Sequence, residues 1–271
     1  MRSRIFLVCL IFFLSNLVSS QKFSGNSAPF VSSSYDSFIA GEWLKFRIHY
    51  GIFNASEAIL NVKEDSINSK KIFKATAIGR TTGLARLFFK VEDLYETYFT
   101  KNLVQPIKST RNVYEGGYTK NVEVQYDYYN GQAIVKDLEK NETNRVSVSN
   151  NVQDLVSTFY YLRNHFDVKK LKINDFIKIT MFIDSENYNF RMRFLGFEDV
   201  KTKFGIVHCL KFNPIVESER IFNNSESLTL WVSNDKNKIP IKIKAGLRIG
   251  SIDADLDEFK NLKHPFKIKI K

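Results

Sequence analysis

The chain has 271 residues, 44% hydrophobic, 25% charged and 14% aromatic, with a formal net charge of +11. That apolar share excludes a wholly disordered chain, and the length admits one large core or two modest domains. Phe (24) and Tyr (12) far outnumber Pro (5) and Met (3), a usage that favours strands over helices.

The first element is a leader. Arg2 and Arg4 precede an apolar run over 5–14, and Val18-Ser19-Ser20 places small residues before Gln21. These are the three parts of a secretory signal, so residues 1–20 are expected to be cleaved and the protein exported, to the periplasm or the extracellular space. The strongly apolar stretch is about half of what a membrane-spanning helix needs. Cys9 lies inside that run and not at the cut, which argues against a lipid anchor. Cleavage removes Arg2 and Arg4, leaving about +9, and leaves Cys209 as the only cysteine. No internal disulfide can then form, and Cys209 in a strand-like run reads as a small core residue.

Residues 21–40 are rich in Ser, Asn and Gly and read as a flexible lead-in. Period-two alternation follows. Leu44, Phe46, Ile48 and Tyr50 share one face and Lys45, Arg47 and His49 the other, and 58–62 completes a first hairpin across a short connection at 51–54. Further strands are expected over 73–77, 94–100, 107–114, 120–128 and 132–137, with Asn130-Gly131 as the strongest hairpin signal. Residues 81–91 add a helical turn or two around Leu84, Leu87 and Phe88.

One segment changes period. Val152, Leu155, Val156, Phe159, Leu162 and Phe166 recur at helical spacing, predicting a helix of about 14 residues capped by Asn151, with Asp154 near its positive end. Phe159 is expected to be buried against the concave side of a sheet. Strands resume over 176–183, 189–197, 206–213, 227–232, 239–245 and 247–257. In the last, apolar residues change from odd positions (Leu247, Ile249) to even ones (Ile252, Ala254, Leu256), which predicts a bulge at Gly250-Ser251. No linker or repeat divides the chain. The expectation is one all-β, mainly antiparallel domain over 41–257, a strongly curved sheet or partly open barrel with one amphipathic helix packed on it, then a basic tail over 258–271.

Catalytic chemistry is not legible. His49, His165, His208 and His264 stand at no metal-ligand spacing, and no nucleophile elbow, phosphate-cradling loop or dinucleotide fingerprint occurs. No cofactor, metal site or catalytic residue is assigned. Asp253, Asp255 and Asp257 share one face of a strand and can hold a cation. Pairing with the preceding strand instead sets them against Lys242 and Lys244, as cross-strand charge pairs. The basic balance suits anionic lipid headgroups or polysaccharide, and no nucleic-acid-binding motif accompanies it.

Four stretches carry a resemblance. They are Gly41-Glu42-x-Leu44-x-Phe46-x-Ile48-x-Tyr50-Gly51-x-x-Asn54-Ala55-x-x-Ala58, then Asp154-Leu155-Val156-Ser157-Thr158-Phe159-Tyr160-Tyr161-Leu162-Arg163, then Leu230-Trp231-Val232-Ser233-Asn234-Asp235, and Ile239-Pro240-Ile241 leading to Gly250-Ser251-Ile252. In this order they resemble the DUF3108 family of exported bacterial proteins, and the residue usage is similar to Bacteroidota-type members. The resemblance implies an envelope location and a β-rich fold, with no activity to carry over. Architecture alone suggests a carrier of an apolar or amphiphilic ligand, with Phe88, Phe89, Phe159, Tyr160 and Tyr161 as candidate lining. The alternatives are an envelope scaffold using its basic face against anionic lipid or a partner protein, and, least supported, a glycan hydrolase, which needs paired carboxylates in a cleft.

Overall fold

Alternating apolar positions, punctuated by Gly and Asn turns, make strands of most of the described residues. A computed structural model describes residues 36–217, 228–247 and 250–269; the expected leader and its cleavage site lie outside them. The first meander contains β1 (Trp43–Tyr50), β2 (Phe53–Ile67), β3 (Lys70–Thr81), β4 (Val91–Thr100), β5 (Pro106–Glu115), β6 (Tyr118–Asp127), β7 (Gln132–Asp137) and β8 (Glu142–Ser147). A short helix, α1 (Gly83–Phe88), joins β3 to β4, where a turn or two of helix was expected. Helix α2 (Leu155–Asn164) then leads to a second meander, β9 (Phe176–Ile183), β10 (Glu186–Thr202), β11 (Gly205–Glu217), β12 (Leu228–Ser233), β13 (Pro240–Gly246) and β14 (Ser251–Lys260).

The fourteen strands among the described residues form one sheet in the order β8-β7-β6-β5-β4-β3-β2-β1-β14-β13-β12-β11-β10-β9. Every ladder is antiparallel, and the two meanders join where β1 pairs with β14. The sheet rolls up without closing by a ladder. Its edge strands β8 and β9 are linked by the segment 148–153 instead: Gln153 N–H donates to the Thr180 carbonyl (2.9 Å) and the Gln153 carbonyl accepts from Phe182 N–H (2.8 Å). Val148, Val152 and Phe182 pack there with Tyr126, Ala133 and Val135, so apolar contact seals the seam. The expected curved, partly open β-barrel with a helix packed on it is the observed fold.

Three local expectations are corrected. The helix is ten residues long, and its N-cap is Asp154, not Asn151. The Asp154 carboxylate accepts from the N–H groups of Val156 (2.9 Å) and Ser157 (2.8 Å), while the Ser157 hydroxyl accepts from Asp154 N–H (2.9 Å), a reciprocal cap that satisfies the first orphan donors. Phe159 is only half-buried; the residue sunk in the core is its neighbour Tyr160, 1% exposed. The third correction is the bulge. Gly246 pairs with Ser251, and Leu247 N–H donates to the Gly250 carbonyl (3.0 Å), so Gly250 belongs to the reversal between β13 and β14. The parity change marks two strands meeting across a turn. Gly250 has φ +75°, suited to a tight reversal. Ile249 lies outside the described residues.

The face of α2 turned to the sheet is partly polar. Arg163 and Glu42 are 3% and 1% exposed and meet in a bidentate pair, Nη1–Oε1 2.6 Å and Nη2–Oε2 2.8 Å. The guanidinium also donates to the carbonyls of Asn237 (2.9 Å) and Ser37 (3.1 Å). Ser37 in turn bonds to Asn164 and to the Arg163 carbonyl, and Phe38 packs on Tyr160 at 4.8 Å. Both ends of α2 are therefore held by charge-assisted bonds, the N-terminal one extended by Thr97, whose hydroxyl donates to Asp154 Oδ2 (2.6 Å).

On the outer face the predicted rows meet: Lys242 lies opposite Asp255 and Lys244 opposite Asp253. Asp253 and Asp255 contact Lys242, Asp255 also meets His49 (2.8 Å), and Asp257 bonds Lys203 (2.7 Å). Residues 261–269 return across the barrel wall, Ile206 and Lys269 forming an isolated bridge.

Candidate functional site

Small inward-facing residues leave a space beneath α2. On neighbouring strands Ala58 pairs with Gly79 and Leu60 with Ala77, so three adjacent inner positions carry little or no side chain. Opposite them stand Leu155, Val156 and Phe159 of the helix. The result is an apolar cavity of about 140 Å³, with Phe46 and Ile48 also on its wall and Asp93 and Tyr95 of β4 at one end.

Tyr95 and the first turn of α2 separate this cavity from a second chamber of about 230 Å³, whose lining mixes charged and apolar side chains. Arg111 of β5, Lys120 of β6 and Asp137 of β7 point into it from the sheet, and both spaces share Tyr95, Leu155 and Val156. The β9–β10 turn contributes to its lining. Asp184 and Ser185 take φ of +51° and +66° in that tight reversal. The Asp184 carboxylate then accepts from Arg111 Nη1 (2.6 Å) and Lys120 Nζ (3.0 Å), tying the second meander to the first.

Asp93 is the unusual group. It is 4% exposed, yet alternation puts it on the inner face of β4 with Val91, Tyr95, Thr97 and Phe99. Burial, reinforced by the neighbouring Glu115 carboxylate, pushes its carboxyl up to about 7, and Tyr114 N–H donates to Oδ1 at 3.3 Å. Glu115 is close enough to hydrogen-bond with it. Two carboxyls in contact hold one proton between them more readily than two charges. Burial also raises the Tyr95 phenol and the capping Asp154 carboxyl, the latter against the pull of its hydrogen bonds.

The aromatic residues singled out from the sequence are dispersed. Phe159 lines the cavity. Tyr160 turns into the core, 5.6 Å from Phe99 and 4.9 Å from Phe159. Tyr161 stacks on His165 at 3.9 Å. Phe89 is half-buried, and a Cβ added to Gly116 would collide with its ring. Phe88 is 88% exposed on α1, on the same rim as Leu84, Leu87, Ile52 and Phe53. Ala58, Ala77, Gly79 and Asp93 were not singled out. The detectable signal was an acidic residue on the apolar parity of a strand, beside small residues on two others.

Among the described residues no His, Cys, Asp or Glu side chains gather in the threes a metal ion requires, and no helix is long and apolar enough to cross a membrane. The thiol of Cys209, pushed up to about 12 by burial, is held as a core group.

A solved β-barrel-like protein of the domain of unknown function DUF1849 from Brucella abortus is similar in fold. Its TM-score is 0.52 at 10% identity, over 84% of this chain and 100% of that one. A structure from Parabacteroides distasonis, described as that of a "putative lipoprotein", has a TM-score of 0.35 at 12% identity, over 84% of this chain and 99% of that one. No curated protein matches the sequence. Residues 45–257 match the model of the family described as protein of unknown function (DUF3108), and the chain belongs to that family.

Proposed function

We propose that this is an exported envelope protein that carries a small amphiphilic ligand, its apolar end in the cavity under α2 and its polar end in the adjoining chamber. The observation that carries the reading is the adjacency of the two spaces across Tyr95, Leu155 and Val156. Ligand sites are typically apolar hollows with a few convergent polar groups, and here Asp93, Arg111 and Lys120 supply those. Size limits the ligand. A dry cavity of about 150 Å³ accepts a benzene-sized guest, so one ring or a short chain fits and a whole phospholipid does not. Phe159 is the aromatic residue assigned to the lining, with Phe88 and Phe89 at the rim and Tyr160 and Tyr161 supporting the helix. The reading places the chain in the periplasm or outside the cell, following its leader.

Glycan hydrolysis fits less well. Glycosidases separate their two carboxyls by about 5–5.5 Å or about 6.5–9.5 Å, whereas Asp93 and Glu115 are in hydrogen-bonding contact. The test is native mass spectrometry of the protein extracted from its own envelope. A small-molecule adduct is expected, lost in Ala58→Leu, which fills the cavity. A stoichiometric protein partner without an adduct replaces the carrier by a scaffold, and a bare chain that also fails to bind small aromatic probes overturns the carrier.

A further inference from the structure

Among the described residues lining the apolar cavity, Asp93 is the only one with a carboxyl, amine or guanidinium group. Its surroundings can be followed element by element. β3 offers Gly79 opposite it, β2 offers Ala58 beyond that, and α2 contributes Leu155, Val156 and Phe159, none of them charged. The charges lie on the other side. β5 contributes Glu115 and Arg111, β6 contributes Lys120, and the β9–β10 turn contributes Asp184, which is bonded to both Arg111 and Lys120. The single carboxyl of the apolar lining, Asp93, therefore sits beside a second carboxyl, Glu115.

We propose that this end of the cavity recognises a primary amine borne on an apolar ring or short chain, with the Asp93 carboxylate as its counter-ion. This deepens the carrier reading and rests on it. In the free protein burial, reinforced by the Glu115 carboxylate, keeps a proton on Asp93 up to about 7. A hydroxyl or carbonyl on the ligand leaves that proton in place. An ammonium group supplies the counter-charge instead, and Asp93 releases its proton to solvent as the ion pair forms. A carboxylate on the ligand adds a further negative charge beside Asp93 and Glu115, at a site with little water to screen it, and is excluded.

Proton competition gives the inference a signature. Below about pH 7 each amine bound displaces one proton, so its affinity rises about tenfold per pH unit, and it levels off above. A ligand without charge shows no such slope. The experiment is isothermal titration of the full chain with toluene, benzyl alcohol, benzylamine and benzoate at about pH 5, 6 and 8; benzylamine stays cationic throughout. The expected result is pH-independent toluene binding, benzylamine about 100-fold tighter at pH 8 than at pH 5, and no binding of benzoate. Asp93→Asn, nearly the same in shape, should retain toluene and lose both the slope and the preference. Glu115→Gln should retain the preference and move the midpoint to lower pH, since it removes the repulsion that raises Asp93. Toluene bound with benzylamine no tighter, or a benzylamine preference unchanged in Asp93→Asn, overturns this inference alone. Failure of both toluene and benzylamine to bind overturns the carrier reading and this inference with it.

Discussion

Adjacent aromatic residues on α2 provide the sharpest measure of whether the space beneath the helix is empty. Tyr160 is 1% exposed and ringed by Phe38, Phe99 and Phe159 at centroid distances of 4.8, 5.6 and 4.9 Å. Truncation to Ala leaves a void in packed surroundings, and aromatic-to-Ala changes in such sites cost about 3–5 kcal/mol. Phe159 is half-buried, with one side on a cavity of about 140 Å³. Truncation there forfeits partial burial, about 1–1.5 kcal/mol, and the contact with the Arg163 guanidinium 5.2 Å from its ring, about 0.5 kcal/mol. The added void merges with an existing one, so the penalty for a new cavity is small. Phe159→Ala should therefore lose about 1–2 kcal/mol and Tyr160→Ala about 3–5 kcal/mol. In a domain of this size that is roughly 2–4 °C of melting temperature per kcal/mol. Urea unfolding followed by circular dichroism reads both, and titration with a hydrophobic dye reads the cavity. Phe159→Ala should alter dye binding more than it alters stability. Equal losses for the two variants, with no dye bound by the parent chain, would falsify the cavity and leave a filled core.

Two further outcomes concern stability. Glu42→Gln strips the counter-charge from Arg163 in a site where the two side chains are 3% and 1% exposed, and should cost about 3–5 kcal/mol in urea unfolding. Glu42→Leu combined with Arg163→Met should recover most of that loss, and equal losses in the single and double variants refute the argument. Asp93 acts in the opposite sense. Between about pH 4 and about 7 the folded chain keeps a proton that the unfolded chain has released, so stability declines as pH rises through that window. Asp93→Asn should flatten the decline and gain about 1–3 kcal/mol at pH 8, the adjoining chamber screening part of the effect; an unchanged pH profile refutes the raised carboxyl.

Strand identity was legible because one face of almost every strand is buried, and period two shows through wherever that holds. It failed for β8, Glu142–Ser147, whose residues are mostly exposed at the sheet edge and carry no alternation. It also cut β10 short, since the last residues of Glu186–Thr202, 198–202, are mostly polar. The helix was located by its apolar positions, but which face it buries was not. Arg163 is sunk in the core because Glu42, 121 residues earlier, meets it there. No local pattern announces a buried cation whose partner is so distant. The pairing of β1 with β14 is equally non-local. The cavity was hidden for another reason: it is made of what Ala58, Ala77 and Gly79 lack, and the strand reading began at Leu94, one residue after Asp93.

A helix above an empty space should sink into it, and the structure contains the reason it does not. Collapsing a cavity of about 140 Å³ would gain about 3 kcal/mol, at roughly 24 cal/mol per Å³. Moving α2 inward must break what pins its ends. At one end the Asp154 cap bonds Thr97 as well as two helix N–H groups, worth about 1–2 kcal/mol. At the other, separating Arg163 from Glu42 leaves two buried charges, a loss of about 3–5 kcal/mol. The pins outweigh the collapse by a margin of about 1–4 kcal/mol, so the space persists in the free protein. Two roles therefore coexist in the residues that carry the family resemblance. Glu42, Asp154 and Arg163 fix the height of the helix, while Ala58 and Phe159 face what that height leaves open. A pocket held open in this way is preformed, and a ligand entering it does not have to supply the work of lifting the helix.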